Sequence, residues 1–370
     1  MRRSSIPGSP PCACFALGAV TNAAAPVTTG LQWAGVDFSR SGLQLGYGRV
    51  RHSDNVYDGS VIPVPIAVIS SGAGPTVLLV AGTHGDEYEG QILLHELART
   101  LTPERVRGTL ILVPSANHAA VSAGTRVSPI DNGNLNRSYP GDPDGAPTGQ
   151  VAHLIGKGLL PKTDVVIDLH SGGSNSTYVP CTFLYRGPTP ELWARKVAAA
   201  RNMALPYTMV VPPRLEPGSL STAGDDAGIL TLSTELGGGG TVDRSVLARA
   251  RTGLAALLTG TGVLAPEPAG DRTHHEHGGI RPTTVWIELV DDSAVTTTVG
   301  GLFEPLVDLG QFVRAGEPVG EVHFLDELDR PPREFAAAVD GIVAIIRRPT
   351  LVRPGCHLVH VAPLLADIQD

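Results

Sequence analysis

The sequence predicts an α/β catalytic domain, built on a mixed, largely parallel sheet flanked by helices, followed by a small C-terminal all-β domain. Three observations carry this. Between about residues 75 and 260, apolar strands alternate with amphipathic helices. Several of those strands end in ionisable residues, and ligands collect at the carboxyl ends of such strands. Past "APEPAGDRTHHEHGGIRP" (265–282), the chain turns into short strands separated by glycine turns. The expected divisions are a disordered tail over 1–30, the catalytic domain over 31–265, a linker over 266–282 and the β domain over 283–370.

Residues 36–70 alternate in polarity, as in "LQLGYGRVRH" and "SVIPVPIAVIS", and read as antiparallel or edge strands; Pro63 and Pro65 favour an edge. "PTVLLVAG" (75–82) is a buried strand, and "EGQILLHELARTL" (89–101) an amphipathic helix. "GTLILVPSAN" (108–117) is the next buried strand. The long loop "TRVSPIDNGNLNRSYPGDPDGAPTG" (125–149) exceeds the ~15 residues beyond which a loop in a compact domain is usually functional. A helix near 149–159, the strand "DVVIDLH" (164–170), a helix near 188–201 and the strand "GILTLSTEL" (228–236) follow. "GGGG" (237–240) then leads into the helix "VDRSVLARARTGLAALL".

Composition excludes several function classes. A net charge of −8, with no arginine stripe, removes the footprint of a nucleic-acid binder, and no apolar run is long enough to span a bilayer. The cysteines Cys12, Cys14, Cys181 and Cys356 fit neither a disulfide scaffold nor a zinc ribbon, so a reducing, cytoplasmic setting is expected. "MRRSS" and "CACFALGAVTNAAAP" imitate a signal peptide, but Pro7, Pro10 and Pro11 precede the short apolar stretch, and the segment reads as a tail.

The chemistry lies at the strand ends: His84 and Glu87 after the first, Asn117 after the second, Asp168 and His170 at the third, Glu235 at the fourth. A catalytic zinc takes three protein ligands from His and carboxylate and leaves one position open. His84, Glu87 and His170 supply such a set, one Zn2+ per chain, and the ion lowers the pKa of its water to about 7. Glu235 is the candidate general base and acid. Asp168 is expected on the opposite face of its strand from His170, outside the ligand set, with a role in orienting a histidine. In the long loop, Asn136 and Arg137 are expected to hold a substrate carboxylate, and Arg126 to stabilise an oxyanion. The bland alternatives are a core histidine at 170, a helix-start charge at 235 and solvated loop arginines. The remaining histidines, including "HHEH" (274–277), are expected to be structural or solvated.

"GTHGDEYEG", "NLNRSYPGDPDG", "DLHSGG" and "STELGGGG", in this order, resemble the succinylglutamate desuccinylase/aspartoacylase family, relatives of the zinc carboxypeptidases. The resemblance covers about residues 35–365 and implies a zinc-carboxypeptidase-like fold. It implies zinc on His84, Glu87 and His170, Glu235 as the catalytic carboxylate, and substrate contacts from Arg126, Asn136 and Arg137. It further implies hydrolysis of a small-molecule N-acyl amino acid, with N-alpha-acetyl-L-2,4-diaminobutyrate expected and succinylglutamate or acetylaspartate as alternatives; a non-catalytic metal-binding relative is the reading from another class. A diaminobutyrate substrate also carries an ammonium, for which Asp131, Asp142, Asp225 and Asp226 are all open. His118, in "ANH", departs from the family pattern at the expected site edge. The C-terminal domain resembles the biotinyl/lipoyl β-hammerhead, yet no lysine follows Lys196, which excludes a covalent carrier. A lid, a wall of the site or a homo-oligomer contact stays open.

Overall fold

The computed structural model describes residues 33–55, 58–212, 216–266 and 284–365. The tail over 1–30, the histidine stretch at 274–277 and nearly all of the expected linker lie outside the described residues. The strands begin with β1 (Trp33–Ala34), β2 (Gly42–Arg51), β3 (Val61–Ser70), β4 (Thr76–Ala81), β5 (Thr109–Val113) and β6 (Val165–His170). They continue as β7 (Ser176–Tyr178), β8 (Cys181–Tyr185), β9 (Tyr207–Val211), β10 (Leu230–Glu235) and β11 (Val285–Glu288). The helices are α1 (Glu89–Thr100), α2 (His118–Ala123), α3 (Pro147–Gly156), α4 (Pro190–Met203), α5 (Leu220–Asp226) and α6 (Arg244–Gly260).

All of these strands but β7 form one sheet, ordered β1-β2-β3-β5-β4-β6-β10-β8-β9-β11. It is mixed: β5, β4, β6 and β10 run parallel at its centre, while β1–β2, β2–β3, β3–β5 and β8–β10 are antiparallel. From β4 the chain steps outward to β5, then returns to the other side of β4 as β6. The winding thus reverses at β4, and the carboxyl ends at such a point are where open α/β sheets receive ligands.

Strand alternation supplies both faces of this sheet. Val77, Leu79, Ala81, Ile167 and Leu169 pack with Leu93 and Leu94 of α1 and the apolar stripes of α4 and α6. Leu78, Val80, Ile111 and Val166 pack on the other side with Val151, Leu154 and Ile155 around α3. Each such side chain, fully buried, contributes about 1.5–3 kcal/mol, so the central strands hold the site's edge rigidly.

Two sequence expectations change. First, β3 is interior, with β2 on one side and β5 on the other. Its prolines still obey the edge rule locally, because β5 registers only with Ala67–Ser70 while Pro63 and Pro65 pair with β2 alone. Second, β8 and β9 are strands that the sequence pattern does not reveal. Both are five-residue, mostly apolar runs, each with one threonine, and periodicity alone leaves such runs ambiguous.

The C-terminal region is antiparallel throughout. Its strands are β12 (Ala294–Thr296), β13 (Gly301–Pro305), β14 (Phe312–Val313), β15 (Pro318–His323), β16 (Arg333–Ala336), β17 (Gly341–Arg347), β18 (Leu351–Val352) and β19 (His357–Ala362). They form the sheets β12-β19-β17-β14 and β16-β15-β13-β18 around a core including Phe303, Val319, Val343 and Val359. Two features join it to the catalytic region: β11 pairs with β9 of the large sheet, and β17 pairs with β7, the short strand just past His170. A shared apolar cluster, with Cys181, Phe183 and Met209 against Ile342, Ala344 and Ile345, fills the junction. Among the described residues, no helix is long and apolar enough to cross a membrane.

Gly90 lets α1 lie against the ligand-bearing strands: a Cβ there would stand 2.5 Å from that of Leu169. Gly90→Ala gains about 1 kcal/mol of helix propensity but overpacks this contact at a cost of about 1–3 kcal/mol. We expect a net loss of stability in urea unfolding; a gain would show that α1 is free to shift. A pH effect is expected from His360, whose pKa is pushed down to about 4 by burial and then by its neighbour His357, 3.1 Å away. Between the ordinary imidazole value and about 4, the unfolded chain binds this proton and the folded chain does not. Stability therefore falls as pH drops through that window, by up to about 3 kcal/mol. His360→Gln should flatten Tm against pH there, and an unchanged slope would remove His360 as its cause.

Candidate functional site

The turn between β4 and α1 presents His84 and Glu87 together. It sits directly on α2, and only a glycine fits at the contact: a Cβ on Gly85 would lie 2.0 Å from the Ala120 carbonyl oxygen. Parallel pairing places Ala81 beside Leu169 on β6, and Glu235 of β10 beside His170. Three strands thus deliver His84, Glu87, His170 and Glu235 to one edge.

The side chains converge. Glu87 Oε1 lies 2.6 Å from His84 Nδ1, and Oε2 lies 2.8 Å from His170 Nδ1 and accepts from the Ser171 N–H at 3.1 Å. All three residues are buried. The far nitrogen of each ring is also engaged, His84 Nε2 by Asn134 Oδ1 at 3.2 Å and His170 Nε2 by Asp168 Oδ2 at 2.9 Å. This corrects the expected placement of Asp168. Residues two apart on a strand point to the same face, so Asp168 stands beneath His170 and holds its ring.

The electrostatics ask for a cation. Burial works to raise the Glu87 carboxyl, but His84 and His170 outweigh it and hold it well below the usual range. Burial likewise opposes charge on His170, yet Asp168 and Glu87 hold its pKa well above the ordinary imidazole value. Two Nδ1 atoms and a carboxylate with their outer atoms already oriented fit a divalent ion, which would replace the ring protons. One other group among the described residues, Glu304, Glu321 and His323, comes close enough to hold an ion. It is partly exposed, and both carboxylates there share one nitrogen, His323 Nε2.

Glu235 is pushed well above the usual carboxyl range, by burial first and then by the charge of Glu87, and its Oε2 is buried without a hydrogen-bond partner. A cation on the adjacent residues would act against that rise. Arg126, half-exposed, sets Nη1 3.3 Å from His84 Nδ1 and 3.4 Å from Glu87 Oε1. Asn136 and Arg137 occupy a short turn tethered to the start of α5, with Asn136 Oδ1 accepting from the Leu220 N–H. His118 opens α2 behind the Asn117 cap rather than joining the metal group, and burial lowers its pKa.

One acid at this site carries no sequence signature. Glu216 receives an ion pair from Arg137 Nη2, a hydrogen bond from Tyr185 Oη at 2.8 Å and one from Asn136 Nδ2 at 3.4 Å. Burial pushes its carboxyl up, but Arg137 and Tyr185 outweigh that and hold it below the usual range. No spacing signals it, since it lies between β9 and α5, far in sequence from its partners.

Fold and site together fit a hydrolase of linear amides, with a buried His-Glu-His group able to hold a metal ion beside the Glu235 carboxylate. The chain belongs to the succinylglutamate desuccinylase/aspartoacylase family, whose catalytic domain matches residues 73–261. It is 34% identical over 337 residues to the N-alpha-acetyl-L-2,4-diaminobutyric acid deacetylase of Halomonas elongata, covering 90% of this chain and 96% of that protein. The product-bound ectoine utilization protein EutE (DoeB) of Ruegeria pomeroyi is similar at 36% identity and a TM-score of 0.84, covering 91% of this chain and 100% of that one. A succinylglutamate desuccinylase/aspartoacylase of Rhodobacter sphaeroides is similar at 35% identity and 0.83, covering 90% and 98%.

Asp168→Asn removes the charge behind His170 while keeping its shape. Metal affinity should fall about 10–100-fold, the usual effect of losing such a partner. Competition with a chromophoric chelator measures it, and an unaltered affinity would show that Asp168 does not support the ligand.

Proposed function

We propose that this enzyme hydrolyses N-alpha-acetyl-L-2,4-diaminobutyrate to acetate and L-2,4-diaminobutyrate, in the breakdown of ectoine, with zinc as its metal. The observation that carries the hydrolytic reading is Glu235: a half-buried residue whose enclosed Oε2 has no hydrogen-bond partner, in register with His170 on the adjacent strand. The activity named for the Halomonas elongata relative, and the product-bound ectoine utilization protein, support the choice of substrate.

His84, Glu87 and His170 would hold the zinc, and its chemistry is to lower the pKa of a water to about 7. The remaining work falls to the chain's own groups. Glu235 takes the proton of the attacking water at its carboxylate and passes it to the departing nitrogen. Arg126, whose Nη1 reaches the edge of the His84–Glu87 group, faces the charge that develops on the carbonyl oxygen. Arg137 and Asn136 fix the substrate's α-carboxylate, Arg137 through its planar fork.

Glu235→Gln keeps the shape and removes the base. It should retain metal and substrate binding while kcat falls about 10²–10⁴-fold, read by amine release from N-acetyldiaminobutyrate with and without chelator. Hydrolysis at the wild-type rate in this variant, or undiminished activity of the metal-stripped protein, would overturn the assignment.

A further inference from the structure

An arginine clamp recognises the α-carboxylate that every N-acyl amino acid carries, and so cannot choose among them. A diamino acid differs by a second charge, an ammonium, and a pocket that selects it needs an acid within reach of the clamp. Two of the aspartates that the sequence offers are bound up in the framework. Asp131 accepts from the Thr148 N–H and Oγ1 at 2.7 Å each and from the Gly133 N–H at 3.1 Å, fastening the start of α3. Asp225 is ion-paired with the buried Lys196 at 2.6 Å. Asp142 and Asp226 are exposed, and Asp142 accepts from the Asp144 N–H in a surface turn.

Glu216 is placed differently. Its side chain is only 26% exposed, and it touches Arg137, Asn136 and Tyr185, two of them the proposed carboxylate clamp. β8 runs antiparallel to β10 with Cys181 opposite Glu235, and Tyr185 closes its far end; Glu216 still lies near enough for its charge to raise the Glu235 carboxyl. An acid here offsets the positive charge of the very arginine meant to attract substrate. For a substrate bearing one negative charge that placement is counterproductive. For a substrate bearing a carboxylate and an ammonium a few bonds apart, it is complementary.

We propose that Glu216 is the specificity-determining residue of this site and binds the side-chain ammonium of an N-acyl diamino acid, so that the Arg137–Glu216 pair matches the substrate's own two charges. This rests on the deacylase reading above and names the feature that selects its substrate. Before binding, the two protein charges satisfy each other. On binding, each exchanges its partner for one end of the substrate, and no buried charge is left alone, as the cost of unpaired ions requires. A neutral side chain leaves Glu216 nothing to bind, and an acidic one meets like charge. The same pair therefore attracts short diamino acids and turns away N-acylated aspartate and glutamate.

The test compares metal-loaded wild type, Glu216→Gln and Glu216→Asp on N-acetyl-2,4-diaminobutyrate, its neutral isostere N-acetylnorvaline and N-acetylglutamate. All three share the acetyl amide and the α-carboxylate, so any disturbance of Arg137 or of folding cancels in the ratio of kcat/KM values. In Glu216→Gln the preference for diaminobutyrate over norvaline should fall about 10–100-fold, as loss of a charge-assisted contact does, and hydrolysis of N-acetylglutamate should improve relative to norvaline. Glu216→Asp keeps the charge and should retain most of the preference. Should Glu216→Gln turn over nothing, calorimetry of free diaminobutyrate against norvaline reads the same preference as a ratio of Kd values. A ratio unchanged from wild type in Glu216→Gln overturns the role of Glu216. A wild type that hydrolyses none of the three overturns the deacylase reading itself, and this inference with it.

Discussion

The Glu87 carboxylate, wedged between two imidazoles, is the interaction on which the rest of the structure depends. Each oxygen faces one Nδ1, and the whole group is removed from water. Burying three ionisable side chains is tolerable only where each charge has a partner, and that requirement reaches outward. Asp168 must stand behind one ring and Asn134 behind the other. Asp168 in turn accepts from Thr83 Oγ1 at 3.3 Å, which links the β4 turn to β6 beneath the ligands. The reversal of winding at β4 and β6 makes this possible, since it brings two strand ends side by side and leaves a gap above them.

Much of this is legible in the sequence, and the reasons are local. β4, β5 and β6 are largely apolar runs because both their faces are covered, and such runs announce themselves, while β10 mixes Leu230 and Leu232 with threonine and serine. His84, Glu87, His170 and Glu235 stand out because polar groups abruptly terminate those runs. Parallel pairing then makes strand ends into neighbours without further information. The strand's period of two also sets Asp168 on the face of His170, so the opposite face expected for it departs from the pattern that the sequence itself carries.

What stays hidden depends on contacts between distant segments. The approach of 216–220 to 136–139 runs through the Gly218 carbonyl accepting from the Tyr139 N–H at 2.9 Å and the Asn136 amide oxygen accepting from the Leu220 N–H at 3.2 Å. Neither leaves a periodic trace. β8 and β9 are hidden for the complementary reason: their apolar runs are too short to separate strand from helix, and only their place between β10 and β11 decides. The interior position of β3 is masked by prolines that obey a rule applying to half its length.

The pairing of β7 with β17 has a consequence for how the protein comes into being. Every group in the proposed catalytic set is encoded by position 235, and the ligands by 170. The segment that borders them, Ser176–Tyr178, bridges antiparallel to Gly238, but its full strand pairing waits for Ile345–Arg347. During synthesis the ion-binding residues leave the ribosome long before the strand that fastens the rim beside them. The nascent chain must carry a partly formed, charge-rich cleft through that interval, and the C-terminal β region acts as the clasp that ends it.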